Sequence, residues 1–340
     1  MSTMESPSHH SSLPTLLAVL AVLFLLAANL FIGSVHIPFN ETVAILSGQD
    51  GVNPAWQFII TQSRIPAAVT ALLAGAALAA SGLMLQTAFG NPLAGPDILG
   101  INSGAGLGVA IVMLASGGLS VLTSPLSTVA AAFIGALCVT GFMIILSSFV
   151  HNHSTLLIIG LMISYIVSSF VTLLNFFSTA EGVQSYLLWG MGNFGSVPLS
   201  SLPLFCGVNI IGILLCFCLV KPLNALLLGR HYAENLGINI RLTRFLLLLT
   251  TGLLVAVTTA YCGPISFIGL AVPHIARLLL GSGDHRRLLP ATLLCGAGVA
   301  LLCNLICALP GESRILPLGA ITPLIGAPIV IIVILKMRRN

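Results

Sequence analysis

The stretch Gly269–Pro290, GLAVPHIARLLLGSGDHRRLLP, decides how the rest of the chain is read. Most of it is apolar, yet Pro273, His274 and Arg277 sit inside the apolar run, and the run ends in the polar cluster Asp284-His285-Arg286-Arg287. Such a cluster admits three readings: a metal site, a catalytic site, or the end of a helix that something else grips. The surroundings must choose between them.

Those surroundings are built for lipid. Of the 340 residues, 57% are hydrophobic and 6% charged, with a mean hydropathy of +1.10. Soluble domains carry about 25% charged residues. Apolar runs near the ~20 residues of one bilayer crossing recur along the chain. They do not alternate in the ~10-residue segments of a membrane barrel. The expected fold class is therefore an all-α integral membrane protein of about ten transmembrane helices, at roughly 13–32, 65–85, 100–115, 127–150, 155–178, 199–220, 242–262, 264–280, 289–308 and 317–336. Residues 1–12 form an N-terminal tail, and 13–340 form one transmembrane domain. The tail has no Lys or Arg, and the first apolar run is too long for the core of a signal peptide, so it is expected to remain as a span.

Positive charge sets the orientation, because cytoplasmic loops keep the excess of Lys and Arg. With the N-terminus inside, one face receives Lys221, Arg230, Arg241, Arg244, Arg277, Arg286, Arg287, Lys336, Arg338 and Arg339, and the other only Arg64 and Arg314. Both termini are expected in the cytoplasm.

Within the spans, Ala71, Gly75 and Ala79 recur at every fourth position, a pattern that lets helices approach closely. After this helix, FGNPLAGPDILGINSGAGLG breaks the backbone with prolines and glycines. Irregular backbone at membrane depth must be buried in protein or line a cavity. Between spans six and seven, KPLNALLLGRHYAENLGINIRLTR predicts two short amphipathic helices joined at Gly229, the second ending at Gly237. Composition leaves open whether they form an interfacial hairpin or a docking surface.

The eight cysteines lie in or at the ends of apolar runs and read as small packing residues. Cys303 and Cys307 share a helix face and leave a redox or metal pair as the alternative. No P-loop, HExxH, CxxC or GxSxG pattern occurs, and the only lysines are Lys221 and Lys336. The chain is read as a transport protein, not an enzyme. The acidic residues Glu5, Glu41, Asp50, Asp97, Glu181, Glu234, Asp284 and Glu312 all fall in loops or at span ends, so no carboxylate is expected at midplane to couple ion flow. The driving force is expected from outside the chain, with a passive channel or secondary carrier as the alternative.

The quoted stretch, read from Gly263, resembles the pattern of FecCD-type ABC importer permeases for ferric siderophores, haem and cobalamin. The resemblance extends to RIPAAVTALLAGAALAASGLMLQ, NPLAGPDILGINSGAGLG, LLIIGLMIS, LLWGMGNFGSV and LPLGAITPLIGAPIVIIVIL, covering about residues 60 to 338. It implies the homodimeric type II permease fold in the bacterial inner membrane, contacting membrane lipid and no nucleic acid. It implies two cytoplasmic ABC ATPase subunits that use ATP and Mg, a periplasmic or lipid-anchored substrate-binding protein, and no cofactor bound by this chain. Ferric siderophore or haem is the first expected cargo, cobalamin the second. The segment at about 222–240 matches the family's coupling helices, with Leu226, Gly229, Ala233, Glu234, Leu236 and Gly237 on the pattern.

By the same resemblance Arg64 receives acidic residues of the binding protein, with Arg314 in the same outer loop. The family often has a second arginine where this chain has Ala67, and Asp and Arg where it has Asn304 and Ala308. The turn HNHST, residues 151–155, matches the cytoplasmic gate and supplies His153, Ser154 and Thr155; metal or haem ligation by His151 and His153, or a plain polar turn, are the alternatives. Trp189, Met191 and Asn193, flanked by glycines, are candidates for the translocation path, with an interfacial anchor as the other reading of Trp189.

The quoted stretch then becomes structural. Pro273 is expected to bend or interrupt the short eighth span, and His274 and Arg277 share a face near its cytoplasmic end. Asp284, His285 and Arg286 are expected to shape the following turn by ion pairs and caps rather than metal ligation.

Overall fold

Small side chains place one helix at the axis of the bundle. This helix, α4 (Ile65–Phe89), is buried along nearly its whole length in the computed structural model, which describes residues 12–49, 52–115, 124–150, 153–309 and 316–337. Three shorter helical pieces and one long helix precede it: α1 (Ser12–Phe31), α2 (Phe39–Leu46), α3 (Pro54–Phe58) and a π-helical turn at Ile59–Arg64 that runs directly into α4. After it come α5 (Ile101–Leu114), α6 (Pro125–Phe149), α7 (His153–Phe177), α8 (Ala180–Gly190) and α9 (Leu202–Cys218). The remaining helices are α10 (Val220–Leu227), α11 (Arg230–Asn235), α12 (Ile240–Cys262), α13 (Ile268–Leu280), α14 (His285–Ala308) and α15 (Leu318–Met337). The described residues contain no β-strand.

Glycine sets the distances between the central helices. A Cβ added to Gly75 of α4 would come within 2.2 Å of the Gly296 carbonyl oxygen of α14, and one added to Gly296 within 2.3 Å of the Gly75 oxygen. A Cβ at Gly82 would stand 1.7 Å from the Gly269 oxygen of α13. Lipid tails give apolar side chains little reason to associate, so backbone proximity and dispersion hold such helices together. Similar contacts join α5 to α6, where Gly104 faces Gly135 and Gly108 faces Ala131. Large exposed apolar residues, among them Phe24, Phe142, Phe149, Phe176 and Phe177, clothe the outer faces.

Every expected apolar run is helical, but not every one has the length of a crossing. Six helices reach span length and apolarity, and α9 with α10 makes a seventh, bent by 46° at the junction. The third and eighth runs are helices of only 14 and 13 residues, α5 and α13. At 1.5 Å per residue each covers about 20 Å, short of the ~30 Å hydrocarbon core. Irregular backbone completes both. Residues 90–100 fold inward ahead of α5, with Pro96 against Gly269 and Gly100 against the Gly160 carbonyl of α7. Phe267, in the left-handed region at φ 68°, turns the chain into α13.

The structure corrects one sequence expectation and adds to two others. Pro273 neither ends nor splits α13, which continues through it to Leu280. Its missing N–H frees the carbonyl four residues earlier, that of Gly269, the oxygen that lies against Gly82. The break belongs to Phe267 instead. Asp97 lies in a turn, as its surroundings predict, and its carboxylate accepts hydrogen bonds from the Phe267 backbone N–H and the Asn102 amide. Finally, α2, α3 and α8 are helices that the apolar runs did not announce.

Candidate coupling surface, strut and translocation cavity

The two short helices between α9 and α12 are built as expected from an amphipathic pattern. Val220, Leu223 and Ala225 anchor α10 to the core. Gly229 then reverses the chain at φ 103°, a value that a side chain would strain. Ala233 is fully buried and pins α11, while Gly237, at φ 80°, receives the chain beyond it. Of the six residues matched to the coupling pattern, Leu226 is half-buried and Ala233 is buried, so these two hold the hairpin. Glu234 and Leu236 are exposed, with His231 3.7 Å from the Glu234 carboxylate. The sequence reading missed Leu227, Leu228 and Tyr232, which stand 53%, 64% and 52% exposed beside them. Two consecutive leucines in so short a helix cannot both face the core, and that was the available signal.

Asn224 of α10 ties this hairpin to the stretch quoted at the outset. Its amide nitrogen donates to Asp284 Oδ1 at 2.6 Å, and its oxygen accepts from the His285 backbone N–H at 2.9 Å. His285 Nδ1 lies 2.8 Å from the same oxygen, and Nε2 lies 2.8 Å from Thr87 Oγ1 of α4. An amide oxygen only accepts, so Nδ1 carries the proton facing Asn224. The buried imidazole thus bridges α10, α14 and α4. Asp284 also caps α14 by accepting from the Arg286 N–H at 3.0 Å. The bond from Arg286, then that from Asn224, hold its carboxyl below the ordinary carboxylate range. Caps and hydrogen bonds do the work expected partly of ion pairs: the Asp284 carboxylate is met by N–H groups of Asn224 and Arg286.

A second set of bonds fixes α13. Arg277 donates to Gln86 Oε1 at 2.7 Å, Gln86 donates to the Leu270 carbonyl at 3.0 Å, and His274 Nε2 lies 2.8 Å from the Pro92 carbonyl. The shared face of His274 and Arg277 therefore grips the end of α4 and the irregular segment after it.

Residues of α5, α7 and α8 border an open cavity of about 290 Å³ lined by Asn102, Ser103, Ser164, Ser168, Tyr186 and Trp189. Asn102 is oriented from behind, donating to Asp97 and accepting from Thr259 Oγ1 at 2.7 Å. Trp189 Nε1 is buried without a hydrogen-bond partner, and its ring lies 6.2 Å from that of Tyr186. Of the three residues expected on the path, only Trp189 lines this cavity. Met191 is exposed, and its carbonyl accepts from Gly319 of α15. Asn193 belongs to a different cavity of about 310 Å³, together with Arg64, Ala67, Asn304 and Ala308. The positions at which this chain departs from the family pattern thus meet in one place.

Arg64 does not point outward there. It is 7% exposed, and its guanidinium donates to the carbonyls of Leu30, Phe31 and Val35 at 2.9, 2.9 and 2.5 Å. Gly33 leaves room for it, since a Cβ there would approach Arg64 Nε to 2.8 Å. The arginine clamps the chain leaving α1, a role that sequence did not indicate. Arg314 and His151 lie outside the described residues. His153 starts α7, Ser154 and Thr155 are exposed in its first turn, and Arg244 of α12 holds the preceding end of α6 through the Ser147 and Val150 carbonyls.

A glycine-packed bundle of apolar helices with an open cavity carrying hydroxyl and amide groups and an exposed amphipathic hairpin defines a membrane permease. Residues 19–336 match the FecCD transport family. The vitamin B12 import system permease protein BtuC of Escherichia coli (strain HS) is 38% identical over 298 residues, 86% of this chain and 89% of that one. The BtuC of Salmonella typhi is 39% identical over 294 residues, 85% and 87% of the two chains. A solved metal-chelate type ABC transporter in an inward-facing conformation superimposes with a TM-score of 0.82 at 30% identity, covering 95% of this chain and 98% of its own. PsaBC from Streptococcus pneumoniae shares the fold at 18% identity and a TM-score of 0.55, over 79% and 90% of the chains. The chain belongs to the FecCD transport family.

Proposed function

We propose that this protein is the membrane-spanning subunit of an ATP-driven importer of a metal chelate, and that its cargo is of the corrinoid class. The observation that carries the importer reading is the α10–α11 hairpin. It presents Leu227, Leu228, Tyr232 and Leu236 outward while being bonded to the core through Asn224. Such a patch suits a soluble partner that supplies the energy, and an ABC ATPase supplies it to a chain that has no P-loop. Corrinoid cargo moves ahead of ferric siderophore and haem because the relatives at 38–39% identity import vitamin B12. The cavity beside Trp189 supports this choice. Hydroxyl and amide groups from Asn102, Ser103, Ser164 and Ser168 suit a ligand rimmed with neutral amides better than one carrying many charges. Two copies of the chain around a shared path, ten crossings with both termini inside, a substrate-binding protein outside and an inner-membrane location complete the proposal.

The test is uptake by liposomes containing the permease, ABC ATPase subunits and a substrate-binding protein. Vanadate-sensitive uptake of cobalamin, exceeding that of haem or a ferric siderophore, is the expected result. Uptake that continues unchanged without ATP would sink the importer reading. ATP-dependent uptake of haem alone would overturn the corrinoid assignment only.

A further inference from the structure

A third cavity lies between α6 and α12, on the face that carries most of the positive charge. Its volume is about 220 Å³, and it is lined by Ser147, Ser148, Arg241, Arg244, Phe245 and two isoleucines. No acidic side chain lines it. The two halves of its wall differ in character. Arg241 is exposed at the rim, one turn of α12 from Phe245, which is 43% exposed. Beside it, Ile145 and Phe149 of α6 are also exposed. Arg244 is held in place by the Ser147 and Val150 carbonyls, so the guanidinium is positioned before any ligand arrives.

From this arrangement we propose that the α6–α12 cavity binds the phosphate of an anionic phospholipid, with the acyl chains lying against Phe245 and the exposed faces of α6 and α12. Two guanidinium groups match a phosphate in charge and geometry. Basic pockets between helices at the headgroup level are the usual form of such recognition. The apolar continuation distinguishes a lipid from a free anion, which would gain nothing from Phe245. Because Arg244 also holds the end of α6, bound lipid would brace that helix end. The inference does not depend on the nature of the cargo.

Native mass spectrometry of the full chain in detergent, titrated separately with phosphatidylglycerol, phosphatidylcholine and inorganic phosphate, tests it. One phosphatidylglycerol per chain should be retained about five-fold more tightly than phosphatidylcholine, the effect of one arginine near an anionic headgroup. Arg241→Gln should abolish that preference and Arg241→Lys should keep most of it. Arg287→Gln, at an exposed arginine elsewhere on the same face, should leave it intact. Equal retention of the two lipids, or an undiminished preference in Arg241→Gln, would overturn the proposal. Displacement of phosphatidylglycerol by millimolar inorganic phosphate would show a free-anion site instead. Loss of the lipid on adding ABC ATPase subunits would assign Arg241 to that interface and overturn it equally.

Discussion

Replacing Asn224 with alanine should remove the polar tie between the hairpin and the core while leaving both folded and packed together. The side chain makes three contacts, at 2.6 Å to Asp284, 2.9 Å to the His285 N–H and 2.8 Å to His285 Nδ1. The Asp284 bond is exposed and its loss costs little, because water replaces the amide. The imidazole, in a residue 1% exposed, is different. Its Nδ1–H loses its acceptor, at about 1–3 kcal/mol for an unsatisfied buried donor. Alanine returns roughly 0.5 kcal/mol through its higher helix propensity, leaving a net loss of about 0.5–2.5 kcal/mol. At ~2–4 °C per kcal/mol, the melting temperature should fall by about 1–10 °C. The sharper measurement is a double-mutant cycle with His285→Ala, in which the pair should show a coupling energy above ~0.5 kcal/mol. In reconstituted liposomes, Asn224→Ala should also lower cobalamin uptake per ATP hydrolysed, because α10 would then push on the core through apolar contacts alone. Additive melting shifts together with an unchanged ratio of uptake to hydrolysis would refute the idea that this imidazole links the hairpin to α4.

Gly82→Ala should cost about 1–3 kcal/mol, since its Cβ would stand 1.7 Å from a backbone oxygen that cannot turn aside, whereas Gly141→Ala, with nothing within 4 Å, should be neutral or slightly stabilising; thermal unfolding of the two variants compares them. Arg64→Gln should lower the melting temperature of the permease alone, because the Leu30, Phe31 and Val35 carbonyls lose charge-assisted donors; an unchanged melting temperature with reduced stimulation by a binding protein would return Arg64 to a docking role. Leu228→Asp should leave unfolding unchanged within ~0.5 kcal/mol and weaken ATPase association in a pull-down at least ten-fold, while Ala233→Asp should impair folding itself.

What could be read from the sequence follows from which signals are local. The apolar runs, the glycines of α4 and the amphipathic hairpin depend on residues near one another, and all appear as helices where the periodicity put them. The partners of those residues were not legible. Nothing in the order of residues says that Gly82 meets Gly269 or that Asn224 meets His285, sixty-one positions away. Charge was the most misleading signal. Arg64 reads as an outer-surface cation, but its guanidinium is bonded to the Leu30, Phe31 and Val35 carbonyls and is buried. Asp97 reads as a loop residue because prolines and glycines surround it, yet those residues let the loop fold into the bundle.

The scarcity of charge explains how the quoted stretch works. A bundle with few carboxylates cannot join its parts by ion pairs, and apolar side chains in lipid give little directional preference. Neutral hydrogen bonds and glycine contacts remain. Gly75–Gly296 and Gly82–Gly269 fix α4 against α14 and α13 at backbone distance, so these helices have little freedom to slide. His274, Arg277 and His285 then fasten the irregular segment at Pro92, the end of α4 and the hairpin to that block. The polar cluster that resembled an active site thus makes α10 part of the same body as the central helices. Asn102, at the inner wall of the cavity, is bonded to Asp97, which is bonded in turn to the residue preceding α13. A continuous set of polar contacts and packed helices therefore runs from the exposed leucines of the hairpin to the cavity wall. Displacing α10 must either move that wall or break a buried hydrogen bond.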